Sequence, residues 1–253
     1  MQRLRRLLRK KSVRDVERAF VVEGAKVVSE ALDGGAPVQS AFVAPGAPTE
    51  LVDRLLAAGA RVHTLEPGVM ERVADTVTPQ PIAAIVGYVD VPLERVRDAS
   101  LVVVCVDVRD PGNAGTVLRS AEAAGADGVI CCEGSVDVYN PKTVRASAGS
   151  LFHVPVIVGG SPAAAADAVG SFGLTRVATV AHGGPDYATA DLTGRVAFLL
   201  GNEAHGLPDD VAAAADAQVS IPMAGRTESL NVGMAAAVLC FEAARQRRVD
   251  RGG

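Results

Sequence analysis

Apolar residues fall along this chain in short blocks, separated by polar turns at a spacing that alternates strand with helix. Residues 20–24 read as a strand ending in Gly24, and residues 25–33 as a helix stopped by Gly34 and Gly35. Residues 38–43 form a second strand. Thr49 is placed to cap a helix over residues 50–58, and residues 61–65 give a third strand. Pro67 suits the first turn of a helix reaching Ala74, and residues 82–89 are a further strand. The alternation predicts a small α/β domain.

The second half opens with residues 101–106, a continuous β-branched run of the kind buried on both faces of a sheet. A helix over 114–124 and a strand over 129–132 follow. Further strands are expected at 154–158, 175–181, 196–200 and 218–221, with helices at 162–169, 209–215 and 230–248. This pattern predicts a doubly wound, mostly parallel sheet with helices on both faces and a ligand site at the strand C-terminal ends. The expected organisation is a basic arm or helix over 1–18, an α/β domain over 19–90, a linker over 91–100 carrying Pro92 and alternating charges, and a larger domain over 101–253.

Charge changes this picture at one end. The formal net charge is −4 over 253 residues, which argues against a nucleic-acid partner until it is resolved along the chain. Residues 1–18 carry eight basic residues, among them Arg5, Arg6, Arg9 and Lys10, against Asp15 and Glu17, a net +6 that leaves −10 on the remainder. Such an arm can bind polyanions locally, or can be an amphipathic helix with a solvated basic face. Aromatics make up 4% and Trp is absent, so an extended stacking platform is not expected. The four cysteines form no CxxC pair and read as reduced thiols in a cytoplasmic protein. The four histidines lack metal-ligand spacing, so no metal is expected. Neither a membrane-spanning run nor a signal-peptide core is apparent.

Three loops at predicted strand ends carry unusual polar content. In residues 107–119, Gly112 and Gly115 allow close backbone approach and Asn113 is placed to cap the following helix, whose N-terminus favours anions. Arg119 lies further along that apolar helix and calls for a carboxylate or phosphate partner. In residues 199–208, Glu203 sits between Gly201 and Gly206; a plain turn is the alternative reading. In residues 221–232, Ser229 and Asn231 stand at the mouth of a long helix. None of the three is a P-loop, and GxGxxG is absent.

Taken together, NAGTVLRSAEAAG (113–125), LLGNEAHGL (199–207) and IPMAGRTESLNVGMAAAV (221–238) resemble the three motifs of the SpoU/TrmH class of RNA ribose methyltransferases. FVVEGAKVVSEAL (20–32) is similar to that family's N-terminal substrate-binding domain, and KTVRASAGSLFHVPV (142–156) to its middle segment. The resemblance implies transfer of the methyl of S-adenosylmethionine to a ribose 2′-hydroxyl of structured RNA, ribosomal RNA being favoured by the two-domain layout. It implies Arg119 as the central catalytic residue, with Asn113, Ser229 and Asn231 orienting the reacting groups and Glu203 organising its turn. It further implies a cofactor held by backbone of Gly201, Ile221 and Leu230, with Leu200 and Met223 as apolar walls for adenine. A trefoil knot in the C-terminal domain and a homodimer also come from the resemblance; Leu230, Met234, Val238 and Phe241 on the final helix suit either a dimer interface or packing onto the chain's own sheet. Arg145 in the middle segment is either an RNA contact or half of a structural ion pair. Two rival readings stand beside this: a transfer-RNA methyltransferase, or a non-catalytic RNA-binding protein of the same fold.

Overall fold

The computed structural model describes residues 1–72, 79–202 and 204–252. The chain divides into two units, 1–89 with 139–153, and 90–138 with 154–253. In the first unit, β1 (Ala19–Glu23), β2 (Val38–Val43), β3 (Arg61–Thr64) and β4 (Ile82–Gly87) form a sheet in the order β1-β4-β2-β3. β4 runs antiparallel to both neighbours, and β2 runs parallel to β3. Helices α3 (Ala25–Asp33) and α4 (Thr49–Ala57) pack on this sheet. Thr49 is the first residue of α4 rather than its cap; Pro48 holds that place and no side chain caps the helix. The segment after Pro67 turns without forming the expected helix as far as residue 72, and residues 73–78, which include Ala74, lie outside the described part.

The basic N-terminus takes the helical form of the two that its sequence allows. It folds as α1 (Gln2–Arg9) and α2 (Lys11–Glu17), and buries Leu4, Leu7, Leu8 and Val13 in one cluster with Ala19, Val21, Phe42 and Ile85. Leucines at spacings of three and four put one apolar stripe on the sheet and leave the arginines on the outer face. Arg14 is the exception: it is buried, and donates to the Leu7 carbonyl at 2.7 Å. A further departure from the expected domain division is the 139–153 excursion, which carries α6 (Pro141–Ala146). Tyr139 stacks on Tyr88 with ring centroids 3.7 Å apart and also meets Phe20, which in turn stacks on Phe152. These scarce aromatics are concentrated where the excursion returns to the first unit, and their long-range pairing is invisible to periodicity.

In the second unit, β5 (Leu101–Cys105), β6 (Gly128–Cys131), β7 (Val156–Val158), β8 (Thr175–Thr179), β9 (Val196–Leu200) and β10 (Ala217–Val219) form a six-stranded sheet in the order β10-β8-β9-β5-β6-β7. Every pairing in it is parallel. Burial of β5 and β9 is complete, as their unbroken apolar sequences require. The intervening helices are α5 (Pro111–Ala123), α7 (Pro162–Ser171), α8 (Asp209–Ala213) and α9 (Val232–Gly252). α9 packs along α5 and is pinned near its far end, where the Arg247 guanidinium donates to the carbonyls of Leu192, Gly194 and Ser100. The expected linker closes into a short 3-10 turn at Leu93–Val96.

Candidate active site

The C-terminal ends of β8, β9 and β10 open onto a cavity of about 350 Å³, within the range of small-ligand sites. Two loops close around it. The first follows β9. Here the Asn202 N–H donates to the Gly206 carbonyl and the Gly206 N–H returns the bond to Asn202, at 3.0 and 2.9 Å. The turn is so tight that a Cβ on Gly201 would lie 2.4 Å from the Gly206 carbonyl carbon. Only glycine fits at position 201. The second loop runs from Ile221 to Leu230 and leads into α9.

Of the residues expected to hold a cofactor, Gly201, Ile221, Met223 and Leu230 line this cavity, and Ser229 joins them. Leu200 does not. It is the last residue of β9, fully buried and paired with Cys105, so its side chain belongs to the core of the sheet. Glu203 lies outside the described residues. Thr179, Asn202, Val219 and Leu239 also line the cavity and were missed in the sequence. Thr179 and Val219 could have been found: each ends a strand beside β9 or β8, where a parallel sheet presents its ligand site.

None of the residues from 107 to 119 lines the cavity. Two side-chain links tie that segment to the two loops. The Asn231 amide donates to the Asn113 side-chain oxygen at 2.6 Å, and the Asn231 oxygen accepts from the Gly233 N–H at 2.9 Å. Asn231 thus caps α9 and joins its first turn to that of α5. The cap of α5 is Asp110, which accepts from the Asn113 N–H at 2.8 Å; Asn113 sits inside the helix instead of before it. α9 can approach α5 this closely because residue 233 is Gly: a Cβ there would lie 2.8 Å from the Thr116 Cβ. The second link is Asp107, in the left-handed region at φ 57°, whose carbonyl accepts from the Asn202 amide at 2.9 Å. The Asn202 side-chain oxygen in turn accepts from the backbone of Ala204 and His205. One asparagine therefore fixes its own loop and ties it to the end of β5.

Arg119 is exposed on α5 and makes no hydrogen bond or ion pair among the described residues. Its guanidinium is free to meet an anion, while its neighbours Leu118 and Ser120 are buried and fix the helix face that carries it. Arg109, by contrast, is engaged: Asp107 accepts from it at 2.8 Å and holds its pKa above the ordinary arginine value. In the first unit, Arg5, Arg6, Arg9 and Lys10 are exposed, and Arg5 donates to the Arg72 carbonyl. Arg145 is half-buried with its nearest nitrogen 3.9 Å from the buried Glu23 carboxylate, an ion-pair geometry. Among the described residues no cluster of three or more His, Cys, Asp or Glu could hold a metal, and no helix is long and apolar enough to cross a membrane.

Residues 100–241 match the SpoU rRNA Methylase family, and residues 1–84 match the MRM3-like substrate binding domain. The chain is 33% identical over 234 residues to 23S rRNA (guanosine(2553)-2′-O)-methyltransferase RlmP of Bacillus subtilis, covering 92% of both proteins. It is 34% identical over 238 residues to the 23S rRNA (uridine(2479)-2′-O)-methyltransferase of Streptomyces viridochromogenes, covering 90% of this chain and 83% of that protein. Among solved structures, the SpoU methyltransferase AviRb from Streptomyces viridochromogenes in complex with the cofactor AdoMet superimposes with a TM-score of 0.88 at 32% identity, covering 98% of each chain. With its glycine-closed cavity and its three linked loops, this chain belongs to the SpoU rRNA methylase family.

Proposed function

We propose that this protein is an S-adenosylmethionine-dependent methyltransferase acting on a ribose 2′-hydroxyl of ribosomal RNA. The observation that carries the reading is the cavity at the ends of β8, β9 and β10, walled by Gly201, Ile221, Met223 and Leu230 and tied through Asn231 to Asn113. The donor set suits a nucleoside with a zwitterionic tail. Apolar Val219, Met223 and Leu239 can face adenine, while main-chain groups of the Gly201 turn and the hydroxyls of Thr179 and Ser229 can meet polar edges. When bound there, S-adenosylmethionine would supply an electrophilic methyl on its sulfonium, leaving a neutral thioether, with the hydroxyl proton released to solvent.

The chain's own part is orientation and charge. A ribose hydroxyl ionises little at neutral pH, so its proton must depart as the methyl arrives. A guanidinium is a poor base, so Arg119 is assigned to the substrate phosphate or to the developing alkoxide. Asn113 and Asn231 hold the first turns of α5 and α9 together, which fixes the helix that carries Arg119 relative to the loop that carries Ser229. Ribosomal RNA is the preferred substrate because the relatives named for 23S rRNA match along both units of the chain.

The reading includes a homodimer. Met234 and Phe241 on α9 are 54% and 46% exposed, and with Leu230 they form an apolar face beside the helix that bears Arg119. A second copy of this face would bury it and could complete the site around Arg119. The trefoil knot that the family resemblance implies belongs to the same proposal. A reducing cytoplasm suits the four buried free thiols. Calorimetry tests the core of the proposal: S-adenosylmethionine binds and NAD and ATP do not. Absence of heat with S-adenosylmethionine, from folded protein, overturns it.

A further inference from the structure

The first unit holds a groove of its own. It has a volume of about 720 Å³ and lies on the sheet face beside the edge strand β3, with Arg3, Gln39, Ser40, Phe42, Arg61 and His63 among its walls. Two features of the backbone open it. α1 and α2 cover that face over β1, β4 and Phe42 but stop short of β3, whose Arg61 and His63 remain exposed. A register shift between Val38 and Ser40 in the pairing with β4 sets Gln39 out of the regular alternation, and the Arg3 guanidinium donates to its side-chain oxygen at 2.7 Å.

The groove has the chemistry of a nucleotide site. His63 pairs with Phe42 across the parallel strands and stacks on it, ring centroids 5.1 Å apart and planes within 20°. The imidazole is thereby backed by a nearly buried ring and offers a face to the groove. Arg61, two residues away on the same face of β3, makes no hydrogen bond or ion pair among the described residues. Arg3 is already held by Glu17 at 2.6 Å and by Gln39, whereas the Arg61 guanidinium is available to an incoming anion. A stacking ring, a nearby unpaired guanidinium and short polar side chains are what an unpaired base and its phosphate require. Double-stranded RNA, whose bases are already stacked, cannot offer the base.

We infer that this groove binds one unpaired nucleotide of the RNA substrate, the base stacked on His63 and the phosphate held by Arg61. The inference rests on the proposed RNA substrate and names where the first unit grips it. It also moves the RNA contact from the outer arginines of α1 to the sheet face beside that helix.

The test uses the full chain and a fluorescent single-stranded RNA hexamer, oligouridylate or oligoadenylate, followed by anisotropy over a range of salt. Calorimetry with S-adenosylmethionine runs in parallel on every variant. His63→Ala is expected to weaken hexamer binding at least about fivefold, and His63→Phe to restore it, because stacking needs a ring and not an imidazole. Arg61→Gln is expected to weaken binding at low salt and to flatten the salt slope by about 0.7, the value for one phosphate on a single strand. Hexamer affinity unchanged by both His63→Ala and Arg61→Gln, with cofactor heat intact, overturns the inference. So does an RNA duplex that binds as tightly as the hexamer and responds equally to His63→Ala. A wild-type protein that binds hexamer in this pattern but gives no heat with S-adenosylmethionine sinks the methyltransferase reading and leaves the groove standing.

Discussion

The two units use the same alternation of strand and helix and present ligands in opposite ways. In the second unit, β5 and β9 are buried on both faces, so the strand ends are the approach to the sheet, and the cavity lies there. In the first unit, β3 sits at an edge that α1 fails to cover, and a groove lies on the sheet face itself. The difference lies in how completely helices cover the strands. A parallel sheet with crossovers on both sides must bind at its ends, whereas a mixed sheet with a short covering helix can bind on its face. The end site is bounded by two loops and the strand ends, suited to a small cofactor; the face site is built from exposed side chains, suited to a larger polymer.

The comparison is broken most severely at Arg119. Arg119→Ala should lower the methyl-transfer rate by about two to three orders of magnitude, the scale for losing a preorganised charge-stabilising donor. Cofactor affinity should stay within about twofold, since Arg119 lies outside the cavity lining. Unchanged turnover would remove Arg119 from the chemistry. Next comes Gly201→Ala, which must displace the Gly206 carbonyl. Overpacking of this kind costs about 1–3 kcal/mol, and calorimetry should show S-adenosylmethionine bound about tenfold or more weakly, with hexamer binding by the first unit untouched. Parallel losses of both ligands would show that the two sites are not independent.

Smaller effects sharpen the account of the loops. Asn113→Ala and Asn231→Ala each remove one partner of a 2.6 Å hydrogen bond. A double-mutant cycle on turnover should return a coupling of about 1 kcal/mol, and additive losses would mean the pair does not act together. The smallest effect lies at the start of β10. Asp216 accepts from the Arg176 side chain and backbone, which holds its pKa at about 2. Because the folded value is depressed, the stabilisation is present above the ordinary carboxylate pKa and is lost as pH falls toward 2. The difference in thermal midpoint between wild type and Asp216→Asn should be constant from pH 8 to pH 5 and shrink below about pH 4. Exposure of the pair keeps this difference to a degree or two.

Much of this was readable in the sequence. The unbroken apolar runs at 101–106 and 196–200 read as buried strands of a mostly parallel sheet, and the site lies at the end of the second of them. Ser229 and Asn231 stood out because a core-building segment has no need of such a pair, and Gly201 because two glycines around Glu203 free the backbone to fold tightly. Three features were not readable, each for a physical reason. Leu200 was expected to wall the cofactor, but alternation along a strand cannot say which face meets a cavity that lies beyond its end. Asn113 was expected to cap α5, yet Asp110 three residues earlier competes for the same role and takes it through Pro111 at the first turn. The groove on the first unit needs a register shift at Gln39 and a docked α1, both products of tertiary packing. Between the two readings that residues 1–18 allow, polyanion-binding arm or amphipathic helix with a solvated basic face, Leu4, Leu7 and Leu8 decide for the helix by burying one face.

The central claim is the transfer of a methyl group to a ribose oxygen of ribosomal RNA. It is tested most directly by incubating the protein with methyl-labelled S-adenosylmethionine and ribosomal RNA from cells lacking it, then digesting the RNA to nucleosides. The expected result is label in a single 2′-O-methylated nucleoside, absent with Arg119→Ala. Label on a base, or none from a protein that binds the cofactor, would contradict it.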